Sequence, residues 1–124
     1  AEGPVPLQVS GVDSLSQATL SLGNLATLAT SPSWAALGRL IPQLHRIRGY
    51  ADFVHYHLLA SGRIDAVVET NVNILDIAAC AVIVREAGGT FTQLDGQPIT
   101  LDTVSVLASN GRLQSTFQNA IRYT

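Results

Sequence analysis

From residue 44 to the end of the chain, strand-like and helix-like segments alternate, and that alternation limits the fold more than any other feature. HRIRGY reads as a short strand ending at Gly49, ADFVHYHLLASG (51–62) as a helix stopped by Gly62, and RIDAVVE (63–69) as a strand. In helix 51–62, Phe53, Tyr56, Leu59 and Ala60 share one side. The segment from Ile74 or Leu75 to Ala87 is the best helix in the chain, closed by Gly88-Gly89. TFTQL is a strand with its turn at Asp95-Gly96, TVSVLAS (103–109) is the last strand, and GRLQSTFQNAIRY (111–123) is a terminal helix with Leu113, Phe117, Ala120 and Ile121 inward.

Upstream, PLQVS and SLSQATLSL (14–22) read as strands, the second with Leu15 and Leu20 inside. Ser31 as N-cap and Pro32 at the first helical position signal a helix. Trp34, Leu37 and Ile41 give that helix one apolar face, and Pro42 closes it. The expected fold is α/β, a mixed sheet flanked by helices, in one domain over residues 1–124.

Composition removes several function classes. Hydrophobic residues make up 47% of the 124 and charged residues 13%, too apolar for a disordered segment. Net charge is −2 and the seven cations are all arginines spread along the chain, so no basic patch points to nucleic acid. No apolar stretch approaches the ~20 residues of a membrane span. The opening AEGPVPLQVS lacks the basic and apolar regions of a secretory signal. Cys80 is the only cysteine, which excludes an internal disulfide and a cysteine-rich zinc site, and it reads as a small core residue. A cytoplasmic protein fits all of this. The chain holds no Met, which suits a trimmed mature chain or a piece of something longer.

The chemistry-bearing candidates sit at element junctions. Asp76 heads the apolar helix and admits two readings, a cap for exposed backbone N–H groups or a ligand to a hard cation. One carboxylate alone is not a Mg²⁺ site. Glu69 ends a strand, either as a solvated strand end or as a wall of the crevice that forms where strands give way to helices. Asp52 stands at a helix start, where a cap or dipole partner is the plain alternative. Arg46 and Arg48 share a strand face, where they either contact a phosphate or line an exposed sheet edge. His55 and His57, two apart on a helix, fall on different faces and read as surface or rim residues rather than a metal pair.

LDIAACAVIVREAGG resembles the C-terminal signature of the inositol monophosphatase superfamily, W-D-x-A-A followed by an apolar helix and E-A-G-G. Asp76, Ala78, Ala79, Glu86, Ala87, Gly88 and Gly89 match, and Leu75 replaces the usual aromatic residue. The likeness runs from LQVS to LASNGRL. Gly49-Tyr50-Ala51-Asp52 is similar to the G-Y-G/A-D-F/D of the histidinol-phosphate phosphatase branch, where inositol-type members carry G-S-A-A.

The resemblance implies the C-terminal half of a sugar-phosphatase fold. It implies a Mg²⁺-dependent phosphomonoesterase, two or three ions in the complete enzyme, acting on histidinol phosphate in histidine biosynthesis, with inositol or nucleotide phosphates as the alternative. It makes Asp76 the metal ligand and Glu69, Asp52 and Arg48 the substrate-binding residues. The family's D-P-I/L-D-G-S/T motif and its upstream glutamate are not in these 124 residues. This half therefore carries no catalytic residue, and its implied partners are the N-terminal half, a small phosphorylated substrate and a second copy in a homodimer. A non-catalytic interaction domain of the same fold is the rival from another class.

Overall fold

The stretch AVVET (Ala66–Thr70) is buried at every position, which suits a β-branched strand covered on both faces. In the computed structural model, which describes residues 7–50 and 53–121, it is the central strand of one mixed sheet. The strands are β1 (Thr19–Gly23), β2 (Arg46–Arg48), β3 (Ala66–Thr70), β4 (Thr90–Thr92) and β5 (Ser105–Ser109), in the order β2-β1-β3-β5-β4. β2, β1 and β3 run parallel, while β5 is antiparallel to both β3 and β4. The helices are α1 (Leu25–Ala29), α2 (Trp34–Leu40), α3 (Val54–Ala60), α4 (Ile74–Glu86) and α5 (Gln114–Ile121).

Strand alternation divides the core into two layers. Leu20, Leu22, Ala66 and Val68 face α1, α2 and α5, and pack with Leu37, Phe117 and Ile121. Val67, Val106 and Ala108 face α3 and α4, and pack with Tyr56, Ile77 and Val84. The same alternation puts Ser21, Gly23 and Glu69 on the α3/α4 side, and this is how the fold positions the site. Among the described residues no helix is long and apolar enough to cross a membrane.

Several expected elements shift. Residues 7–10 of PLQVS form no strand; Val9 instead donates its N–H to the Ala87 carbonyl and packs on Gly88 and Gly89 at the end of α4. The first half of 14–22 is a 3-10 turn (Leu15–Gln17), because only from Thr19 does the chain find strand partners. The short helix α1 carries no cap or period strong enough to read. The Ser31/Pro32 start moves to Trp34, and neither the Ser31 nor the Ser33 hydroxyl finds a partner among the described residues. The inner face of α2 is Ala36, Leu37 and Leu40, so Trp34 stays partly exposed. The left-handed backbone at Gly62, Gly88 and Gly96 supports the stops and turn read at those glycines.

Candidate active site

The parallel strands β1 and β3 end side by side, with Gly23 opposite Glu69. Open α/β sheets leave crevices at such ends. Here a cleft of about 490 Å³ opens, lined among others by Asn24, Phe53, Tyr56, Glu69, Asp76 and Cys80. Asn24 and Asn71, the residues that leave the two strands, both take left-handed backbone with φ of 55°. Asn tolerates this region better than most residues. The Asn24 amide donates to the Thr70 carbonyl at 2.5 Å and ties the two exits together.

Glu69 is only 6% exposed, so its carboxylate needs partners. Oε1 accepts from the Tyr56 hydroxyl at 2.5 Å and lies 3.1 Å from His55 Nε2. Ser21 Oγ lies 3.1 Å from His55 Nδ1 and accepts the Tyr50 backbone N–H, also at 3.1 Å. The Glu69 side chain extends over Gly23, where an added Cβ would stand 2.6 Å from Oε2. Any side chain at position 23 would force the Glu69 carboxylate to move. Burial, then the Glu69 charge and hydrogen bond, push the Tyr56 phenol far up, so it remains a proton donor.

Asp76, which the sequence left as either a cap or a cation ligand, occupies the first turn of α4. It is not the cap. Asn73 takes that role, its Oδ1 accepting the Leu75 N–H at 2.8 Å. The Asp76 carboxylate has no hydrogen-bond partner among the described residues and lines the cleft in the favourable field of the helix N-terminus. Cys80, one turn on, is the buried core residue expected and also part of the cleft lining. Burial and then the nearby Glu69 charge push its thiol up, against a smaller opposing backbone hydrogen bond. Leu75, in the family's aromatic position, is 85% exposed.

The structure thus brings Glu69 and Asp76 to one cleft. Arg48 stands on the exposed edge strand β2, where its guanidinium donates to the Ile47 carbonyl, outside that lining. Asp52 lies outside the described residues. His55 is a correction. It is wholly buried behind Glu69 rather than on the surface, while His57 is exposed. The available signal was Ser21 and Gly23, two apart and so on one strand face, opposite a helix carrying adjacent His55 and Tyr56. Among the described residues, no three His, Cys, Asp or Glu side chains gather as a metal site.

The sequence model of the inositol monophosphatase family matches residues 5–123, and the chain belongs to that family. It is 40% identical over 113 residues to a histidinol-phosphatase of Streptomyces coelicolor, covering 86% of this chain and 40% of the relative. It is 34% identical over 125 residues to an inositol-1-monophosphatase of Synechocystis, covering 96% of this chain and 42% of the relative. Among solved structures, an inositol monophosphatase of Anabaena superposes with a TM-score of 0.81 at 26% identity, over 93% of this chain and 47% of that one. The chain spans less than half the length of these relatives.

Proposed function

We propose that this chain is the C-terminal half of a Mg²⁺-dependent phosphomonoesterase whose substrate is histidinol phosphate. The observation that carries the reading is Asp76. It is a carboxylate at a helix N-terminus, relieved of capping by Asn73 and without a hydrogen-bond partner among the described residues, lining the cleft that Glu69 also lines. A hard oxygen donor of this kind suits Mg²⁺, but one carboxylate is a fraction of the octahedral set. Asp76 would be this chain's ligand, and the remaining donors would come from outside the described residues. When bound, the cation supplies charge stabilisation at the phosphoryl oxygens and a more acidic water.

The chain's own residues would do the rest. Glu69, with Tyr56 and His55 on one oxygen, would turn its other oxygen to the alcohol part of the substrate. An amino alcohol carries an ammonium group, and pairing it with a carboxylate is worth roughly 1.5–3 kcal/mol. Asp52 would supply a second negative partner. The name of the 40%-identical Streptomyces coelicolor relative favours the amine-bearing substrate over an inositol phosphate. The isolated 124-residue chain is expected to release no phosphate, since Asp76 alone cannot organise in-line attack.

The deciding experiment is phosphate release from histidinol phosphate and from inositol monophosphate by the complete protein with Mg²⁺. A higher kcat/KM for histidinol phosphate is expected. Preference for inositol phosphate would move the chain to the sister specificity, and release from neither would favour the non-catalytic domain.

A further inference from the structure

Behind the cleft runs a buried relay that crosses three elements. Ser21 on β1 and His55 on α3 are both wholly buried, and the relay ends on Glu69 of β3. Its direction follows from donor and acceptor counting. The Tyr50 backbone N–H can only donate, so it occupies a lone pair of Ser21 Oγ. The ionised Glu69 carboxylate can only accept, so the His55 ring proton sits on Nε2, facing Oε1, and in the neutral ring Nδ1 is left to accept the Ser21 hydroxyl. The Tyr56 hydroxyl supplies the second bond to the same oxygen. Oε2 receives none among the described residues. One carboxylate oxygen is thus fixed in the wall, and the other has no donor among the described residues.

We infer that His55 is a positioning residue, which pins Glu69 Oε1 against α3 so that Oε2 alone is presented to the alcohol part of a substrate. This rests on the reading of the cleft as a phosphate-ester site, and His55 itself touches no substrate. Without the Nε2–H, the carboxylate keeps only the Tyr56 bond and can rotate. An amide at the same reach restores the donor.

The test uses the complete protein and three variants, His55→Leu, His55→Gln and Glu69→Gln. His55→Leu should raise KM by about tenfold with kcat within about twofold, the pattern of lost ground-state binding. His55→Gln should stay within about threefold of the parent KM. In the Glu69→Gln background, His55→Leu should add nothing, because the group it positions has lost its charge. Full additivity, or equal losses for Leu and Gln, would overturn the inference.

A second readout needs no turnover and no leucine variant. Nitrogen-15 spectra of the histidines in the complete protein should show His55 protonated at Nε2. An unprotonated Nε2 would overturn the inference whatever the kinetics. Failure of the complete protein to release phosphate, with the Nε2–H present, would overturn the functional reading and leave the hold on Glu69 standing.

Discussion

Strand β3 is flanked by two buried carboxylates, and the two ends of the strand use them in opposite ways. Asp65, just before the strand, is 5% exposed, close to Glu69 at 6%. Both Asp65 oxygens are taken, Oδ1 by the Ser10 hydroxyl at 2.5 Å and Oδ2 by the Thr19 N–H at 2.7 Å. Asn110 extends the lock. Its side chain donates to Ser10 Oγ and the Val12 carbonyl, and its Oδ1 accepts the Leu113 N–H at the start of α5. Each Asp65 oxygen thus holds a donor, and Asp65 is not among the residues that line the cleft. At the other end, Glu69 lines the cleft with both its donors on one oxygen and, among the described residues, none on the second. Burial does not distinguish the two carboxylates; the placing of their donors does, one on each oxygen of Asp65 and both on one oxygen of Glu69.

That contrast can be broken at either end. The largest effect is expected on the open side. Asp76→Asn in the complete protein should lower kcat by about two powers of ten or more at saturating Mg²⁺. Its unfolding midpoint should barely move, since Asn73 holds the cap. Near-normal turnover would remove Asp76 from the site.

On the closed side, Asp65→Ala should lower the unfolding free energy by about 2–4 kcal/mol, because it strands the Thr19 N–H and the Ser10 hydroxyl. Urea unfolding measures this, and a loss below about 1 kcal/mol would mean the lock is not load-sharing. Gly23→Ala should follow. Its Cβ would meet Glu69 Oε2 at 2.6 Å and Cδ and Cγ at 2.8 Å, so the carboxylate must move. A destabilisation of about 1–3 kcal/mol together with a higher KM is expected.

Glu69→Gln keeps an acceptor for Tyr56 and His55, so its stability should stay within about 1 kcal/mol of the parent. Its kcat/KM on an amine-bearing substrate should nonetheless fall by about tenfold. If it destabilises as much as Asp65→Ala, the two ends are alike and the comparison fails. The smallest effect concerns Cys80. With its thiol pushed up by burial and Glu69, little thiolate exists at neutral pH. Alkylation of the chain by iodoacetamide at pH 7.5 should be slower than that of a free small thiol and should quicken as pH rises. Rapid labelling at pH 7.5 would contradict the burial.

Much of the fold was legible because its signals are local. The Gly stops at 62 and 88, the Asp95-Gly96 turn and the apolar run of α4 each follow from backbone preferences of neighbouring residues. What failed was where a distant partner decides. Residues 7–10 carry strand-like residues but have no strand to pair with, and Phe53, apolar and in helical phase, is 61% exposed at the cleft. His55 was misplaced for the same reason. Periodicity assigns a face to it but cannot know that Ser21 and Glu69 wait there with a donor and an acceptor to satisfy.

The sequence by itself determined the α/β class, the junction positions of Glu69 and Asp76, and the signature joining Asp76 to Gly89. These depend on spacing along one segment. Only the tertiary structure decided that Asn73 rather than Asp76 caps α4, that Asp65 is closed and Glu69 open, and that Gly23 makes room for a side chain 46 positions away in the chain. Hydrogen-bond satisfaction and steric room depend on which groups meet in space. Two carboxylates four residues apart on either end of one strand therefore look alike until their partners are in place.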